Sequence, residues 1–121
     1  MKFEKLTPVL YSADVSRSIA YYTEVLGFEG KWLWDETPTF GGAFSEELNI
    51  FFCKDGQGHP GTWLYIDVKN IDEYHEKLKK AGAKILEIPE NKAWNMREML
   101  VQDPDGHIIR FGQEIEEYAE D

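Results

Sequence analysis

The chain carries the same pattern of helix signals twice. Asp14 and Asn70 are N-cap candidates 56 residues apart, and Gly27 and Gly82 are candidate helix stops 55 residues apart. Between each cap and its glycine, apolar residues recur at helical spacing: Val15, Ile19, Tyr22 and Leu26 in the first copy, and Ile71, Tyr74, Leu78 and Ala81 in the second. An internal repeat that spans nearly the whole chain requires a fold made of two similar units.

Strand signals flank each predicted helix in the same order. One strand candidate precedes each helix, at 6–11 and 63–68. Three more follow each helix, at 28–34, 40–44 and 48–53 and again at 84–88, 96–102 and 107–112. The sequence therefore predicts an α+β fold of two tandem βαβββ modules, 1–57 and 58–113, in a single domain of residues 1–121 with an acidic tail at 114–121. The glycine-rich stretch 54–61 links the modules, and the Asp103-Pro104-Asp105-Gly106 segment is a turn.

Two strands of the second module have faces of different character. Alternate residues of 63–68 form an aliphatic set, Leu64, Ile66 and Val68, and a larger, more polar set, Trp63, Tyr65 and Asp67. In the last strand, Ile109 and Phe111 oppose Ile108 and Arg110. We expect the aliphatic faces to meet the helices and the other faces to line a groove.

Charge and cysteine content exclude several classes of protein. The formal net charge of -10 repels a phosphate backbone, so nucleic acid is not expected as a partner. Half of that charge comes from the tail, which holds Glu114, Glu116, Glu117, Glu120 and Asp121. No apolar run is long enough to cross a bilayer, and the single cysteine, Cys53, cannot form an internal disulfide. These features predict a cytoplasmic protein with no membrane partner.

Three segments resemble the vicinal-oxygen-chelate superfamily of glyoxalases, extradiol dioxygenases and bleomycin-resistance proteins. They are DVSRSIAYYTEVLGF at 14–28, DVKNIDEYHEKLKKA at 67–81 and WNMREMLVQDPDGHIIRFGQ at 94–113. The third segment is most similar to the bleomycin-resistance branch. The resemblance implies paired βαβββ modules that form a cupped mixed sheet, helices on its convex face, and a homodimer.

The positions at which metal-dependent relatives hold their cation fall on Thr7, Trp63 and Arg110. A hydroxyl is a weak ligand, an indole only donates, and a guanidinium repels cations. The three histidines, His59, His75 and His107, do not lie at metal-ligand spacing. We therefore expect no metal and no cofactor, as in the metal-free bleomycin-resistance branch; the alternative is a metal-dependent glyoxalase-like or dioxygenase-like enzyme with ligands at other positions.

No other catalytic constellation is evident in the sequence. Cys53 ends an apolar run and is expected to be a buried core thiol. Glu46 and Glu47 are adjacent acids in a predicted turn, where a solvated pair is expected. The sequence assigns no reaction to the chain, and a binding function is favoured over an enzymatic one.

Aromatic residues supply the candidate ligand site. They are Trp63 and Tyr65 on one strand face, Trp32 and Trp34 on another together with Phe28, and Trp94 ahead of the seventh strand. Aromatic walls stack planar ligands and attract cations, so a planar, cationic ligand is expected, either bleomycin-like or an unknown metabolite. The competing interpretation is a core or a dimer interface. Arg110 requires either an acidic neighbour, Glu98 or Asp67, or an anionic group of the ligand.

Overall fold

The computed structural model describes residues 1–115 and contains two βαβββ modules, which confirms the α+β class. Its contacts form two compact units, Met1–Pro60 and Gly61–Asp121, with one module in each. In the first unit the elements are β1 (Val9–Tyr11), α1 (Val15–Ala20), β2 (Gly30–Leu33), β3 (Phe40–Ser45) and β4 (Leu48–Cys53). In the second they are β5 (Trp63–Asp67), α2 (Ile71–Ala81), β6 (Lys84–Asn91), β7 (Met96–Gln102) and β8 (Ile108–Glu114).

The first unit contains a four-stranded mixed sheet in the order β1-β4-β3-β2. β1 is parallel to β4, and the other two pairs are antiparallel. The sequence predicts a first strand from Leu6, but the structure begins it at Val9, because Leu6 is exposed and Pro8 cannot donate to a ladder. Leu10, Ile50 and Phe52 form the buried face of this sheet, on which α1 lies.

The second unit repeats this topology with the order β5-β8-β7-β6. β5 runs parallel to β8, while β8, β7 and β6 are antiparallel neighbours. The strand-face prediction is confirmed for β8, where Ile109 and Phe111 are buried and Phe111 contacts Tyr74 of α2 edge-on. The opposite face of this sheet, which carries Trp63 and Tyr65, is free of α2 and remains partly exposed.

Both predicted helices form and end at the expected glycines. Asp14 caps α1 by accepting a hydrogen bond from the Arg17 N–H at 3.1 Å. The helix then widens into a π-helical turn at Tyr21–Val25, and the chain leaves it through Gly27 with φ of 93°. Gly82 ends α2 with φ of 84°, a left-handed conformation that favours glycine.

The predicted cap of α2 is wrong. The Asn70 side chain makes no capping hydrogen bond. The Ile71 N–H instead donates to Gln113 Oε1 of β8 at 2.8 Å. A partner 42 residues away thus satisfies the first turn, and local sequence signals do not reveal such a partner.

Two further predictions concern membrane spans and the acidic tail. Within residues 1–115, no helix is long and apolar enough to cross a membrane. Glu114 belongs to β8 rather than to a tail, and residues 116–121 of the predicted acidic tail lie outside the described residues.

Candidate functional site

The candidate site lies on the helix-free face of the second sheet. Trp63 pairs with Ile108 and Tyr65 with Arg110 across the parallel β5–β8 ladder, which places these side chains on one face. Glu98 of β7 pairs with Gly112 of β8 and therefore points to the same face. Strand register alone thus brings four of the predicted site residues to one face of three adjacent strands: Trp63, Tyr65, Glu98 and Arg110.

The carboxylate of Glu98 is the centre of this cluster. Its Oε2 accepts hydrogen bonds from the Tyr65 hydroxyl at 2.8 Å and from Trp94 Nε1 at 3.1 Å. Its Oε1 accepts from Arg110 Nη1 at 2.8 Å. Both oxygens are therefore used, and residues from β5, β7, β8 and the turn before β7 are joined at one carboxylate. We call Trp63, Tyr65, Trp94, Glu98 and Arg110 the aromatic-carboxylate cluster.

The charged centre of the cluster and its aromatic rings differ strongly in burial. Glu98 is 2% exposed, whereas Trp63 is 54%, Tyr65 47% and Trp94 60% exposed. The acid therefore lies underneath, and the rings that it holds face outward. Burying a carboxylate is costly unless it is paired and hydrogen-bonded, and three donors meet that requirement here.

Glu98 and Tyr65 have shifted pKa values. Burial alone would raise the pKa of Glu98, but hydrogen bonds from Trp94, Tyr65 and Arg110 outweigh it and hold the pKa below its ordinary value. Burial and the hydrogen bond to the Glu98 carboxylate raise the pKa of Tyr65 to about 12. At neutral pH Glu98 is therefore ionised and Tyr65 is a neutral donor.

Arg110 has an acidic partner, which is one of the two alternatives that the sequence left open. Its guanidinium forms an ion pair with Glu98. The guanidinium carbon also lies over the Trp63 ring, 5.8 Å from the ring centroid. Arg110 thereby links the acid beneath the face to an exposed indole above it.

Gly112 is a part of this site that is not among the residues predicted from the sequence. The Tyr65 phenol crosses the backbone at Gly112, and a Cβ there would overlap the Tyr65 hydroxyl. A glycine is needed because any side chain would push the phenol away from Glu98. The available signal was a glycine inside a strand pattern, which typically marks a close approach of this kind.

Trp32 belongs to a different cluster, in the first unit. Its ring packs edge-on against Phe40 at 5.4 Å and Phe51 at 5.2 Å between centroids, and its indole lies over Gly42. These residues form the helix-free face of the first sheet. Trp32 is half-buried. Among residues 1–115, its ring partners on this face are the apolar rings of Phe40 and Phe51.

The prediction that Phe28 shares a strand face with Trp32 and Trp34 is wrong. β2 covers only Gly30–Leu33, so both Phe28 and Trp34 lie outside it. Phe28 is buried against Tyr22 of the helical segment, with ring centroids 5.6 Å apart. Trp34 follows the strand and is 76% exposed. Period-two counting is valid only while the chain stays extended, and it fails at Phe28, which precedes this short strand.

The residues at the family's metal positions do not fit a divalent cation. Thr7 precedes β1, Trp63 presents an indole, and Arg110 is a cation already paired with Glu98. Within residues 1–115, no group of three or more His, Cys, Asp or Glu side chains is placed to hold a metal ion. No metal-dependent step can be derived from these positions.

Cys53 and His107 both have structural roles, but Cys53 is not the buried core thiol that the sequence predicts. Cys53 is half-buried rather than part of the core, because Ile50 and Phe52 occupy the helix-facing side of β4 and Cys53 lies on the other side. Its thiol donates to the Asp55 carbonyl at 2.8 Å. His107 is fully buried, and its Nδ1 accepts from the Thr62 N–H at 2.9 Å, a structural role.

An open cleft of roughly 1130 Å³ lies elsewhere in the second unit, beside the start of α2. Arg97, on the helix-facing side of β7, contributes to its wall together with Asp72 and Asn91. The Arg97 guanidinium donates to both Asp72 oxygens and to Asn91 Oδ1, at 2.9 to 3.2 Å. This pair holds α2 to the sheet.

Solved structures with similar folds match this chain over more than nine-tenths of its length. TioX from Micromonospora sp. ML1 is 21% identical, with a TM-score of 0.81, 93% of this chain covered and 100% of that one. A glyoxalase-related enzyme from Clostridium phytofermentans is 21% identical with a TM-score of 0.82, at 95% and 98% coverage. A superfamily member from Sphaerobacter thermophilus DSM 20745 is 22% identical with a TM-score of 0.77, at 93% and 98% coverage.

These similarities establish a shared fold. No curated protein matches the chain in sequence. The sequence family described as Glyoxalase/Bleomycin resistance protein/Dioxygenase superfamily matches residues 6–111, which include both modules. The chain therefore belongs to the Glyoxalase/Bleomycin resistance protein/Dioxygenase superfamily.

Proposed function

We propose that this protein binds a planar small molecule against the aromatic-carboxylate cluster without transforming it. The observation that carries the proposal is the buried carboxylate of Glu98, which fixes Tyr65, Trp94 and Arg110 while the aromatic rings of the cluster stay exposed. Exposed aromatic rings held in fixed orientations are suited to stacking a flat ligand.

The rigidity of the cluster supports binding. A side chain that is already ordered loses little rotamer freedom when a ligand arrives, which otherwise costs about 0.5 to 1.5 kcal/mol for each side chain immobilised. Tyr65 and Trp94 each donate to Glu98, and Arg110 is held between Glu98 and the Trp63 ring. Four side chains of the face are thus ordered before any ligand binds.

The protonation states support binding rather than catalysis. Glu98 is buried with both oxygens accepting hydrogen bonds, so it does not reach a substrate proton. Tyr65, with a pKa of about 12, is a poor proton donor and is not a base at neutral pH. The indoles of Trp63 and Trp94 carry no acid–base chemistry near neutral pH.

The finer parts of the proposal follow the resemblance to the bleomycin-resistance branch. The protein acts by sequestration, as a homodimer in the cytoplasm, and bleomycin-class drugs or an unidentified metabolite are its candidate ligands. Cys53 as the single cysteine agrees with a reducing compartment. Similarity to TioX and to a glyoxalase-related enzyme supports the fold on which this proposal is built.

Fluorescence and calorimetric titrations test the proposal. Bleomycin and the neutral planar probe 2-naphthamide are titrated into the full chain while tryptophan emission and heat are recorded. We expect saturable quenching by at least one of them, weakened at least about fivefold in Trp63→Ala, since loss of a buried stacking partner costs about 1 kcal/mol or more.

Trp34→Ala is the matched control, because Trp34 is an exposed indole outside the cluster. It should leave affinity unchanged. Equal weakening by Trp63→Ala and Trp34→Ala, or no heat and no quenching with either compound, would contradict binding at this face.

A further inference from the structure

Arg110 has unused hydrogen-bonding capacity on the exposed side of the cluster. A guanidinium carries five N–H donors, and Nη1 donates to Glu98 Oε1. Among residues 1–115, this guanidinium makes no other hydrogen bond. It also lies over the Trp63 ring. Its side chain is 30% exposed, so the remaining donors border the surface on which a ligand would stack.

The acidic groups of the site are placed differently. Glu98 is buried beneath the rings, and its two oxygens are already occupied. Asp67 is exposed, but it lies four residues from Trp63 along β5, a distance of about 13 Å in an extended strand. Beside the Trp63 ring, the accessible charge is therefore that of Arg110, and it is positive.

We infer that the ligand bound at this face is an aromatic carboxylate, with its ring on Trp63 and Tyr65 and its acid group on the free donors of Arg110. The inference rests on the proposed function and replaces the expectation of a cationic ligand. Planar carboxylates match the guanidinium fork, and such charge-assisted hydrogen bonds are stronger than neutral ones. A single negative charge also suits a chain of net charge -10 better than a multiply charged phosphate.

Three probes of one shape test this inference: 2-naphthoate, 2-naphthamide and 2-naphthylmethylammonium. They present the same ring with a negative, neutral or positive group. Each is titrated into the wild-type chain by tryptophan fluorescence and calorimetry at neutral pH and low salt. We expect 2-naphthoate to bind about tenfold more tightly than 2-naphthamide, which corresponds to about 1.4 kcal/mol.

In the Arg110→Gln variant the preference should be lost, so that 2-naphthoate binds no more tightly than 2-naphthamide to that same variant. The matched control is Arg97→Gln, which removes a carboxylate-bound arginine from the opposite face of the same sheet and changes the net charge equally. It should retain the preference. If Arg110→Gln does not fold, the double variant Glu98→Gln/Arg110→Gln serves instead, because it leaves neither charge unpaired.

The outcomes separate this inference from the proposed function. Equal binding of the three probes, tighter binding of the ammonium probe, or a carboxylate preference that survives in Arg110→Gln overturns the inference and leaves a planar-ligand site standing. Failure of all three probes to bind up to about 1 mM counts against the proposed function itself, and the inference falls with it.

Discussion

Replacing Glu98 with glutamine preserves the shape of the side chain and removes its charge and one of its two acceptor oxygens. In the least costly arrangement, the amide oxygen faces Arg110 and the amide nitrogen donates to the Tyr65 oxygen. The Trp94 N–H, which only donates, then has no acceptor, and the Arg110 bond is no longer charge-assisted. Losing about 1 kcal/mol at each of these two contacts predicts a total loss of about 2 kcal/mol in the free energy of unfolding.

Urea unfolding followed by far-ultraviolet circular dichroism measures this loss as a lower midpoint at an unchanged m-value. Glu87→Gln is the matched control: it removes the same charge from a partly exposed pair with Lys92, which keeps Glu90 as a second partner, so only a small loss is expected. The difference in the free energy of unfolding between wild type and Glu98→Gln should also depend on pH. Because the folded pKa of Glu98 is lowered, its stabilisation is present above the ordinary value of 4.5 and is lost as pH falls through the folded pKa.

A loss in Glu98→Gln no greater than that in Glu87→Gln would refute the reasoning, since it would mean that the buried carboxylate contributes no more than an exposed one. If Glu98→Gln fails to fold, the double variant Glu98→Gln/Arg110→Met keeps the test open. It removes the cation that the first change leaves unpaired, so it should show a cooperative urea transition, with a midpoint below that of the wild type.

Four other measurements have defined outcomes. The raised pKa of Tyr65 means that its stabilisation is present below pH 10 and is lost as pH rises through about 12, so unfolding midpoints in this range should fall more in wild type than in Tyr65→Phe. Gly112→Ala should destabilise the protein by about 1 to 3 kcal/mol through overlap with the Tyr65 hydroxyl, and by clearly less in a Tyr65→Ala background; equal costs in both would argue against the overlap. Asp14→Ala should lower the unfolding free energy by about 1 kcal/mol through loss of the α1 cap, measured against Asp35→Ala in an exposed loop. Elemental analysis of protein purified without chelator should find zinc, nickel, manganese and iron well below one equivalent, and a stoichiometric metal would favour an enzyme with ligands at other positions.

The fold was predictable because its signals are local and occur twice. Asp14, Gly27 and Gly82 act at their own positions in the chain, and the structure uses each of them as predicted. The signals failed where a distant partner replaces a local one. Asn70 looks like a cap in sequence, but Gln113 satisfies that end of the helix from another strand.

The candidate site was predictable in its members and not in its organisation. Residue type and alternation, together with the positions that the family resemblance implies for Trp63 and Arg110, pointed to Trp63, Tyr65, Trp94, Glu98 and Arg110. That Glu98 lies underneath and joins the others depends on the register of β7 against β8 and of β8 against β5, which the sequence does not specify. Strand ends were equally decisive for Phe28, which lies outside β2 and is buried against Tyr22.

The parallel pairing of β5 with β8 also determines when this face forms. Trp63 pairs with Ile108, 45 residues later, whereas β6, β7 and β8 are joined in series by short connections. Loop-closure entropy makes such a distant parallel pair slow to form, so β5 should dock after the local hairpins. During synthesis, Trp63 and Tyr65 are made 47 and 45 residues before Arg110. The aromatic-carboxylate cluster can therefore be completed only after residue 110 has left the ribosome, and until then these two rings lack the charges that later fix them.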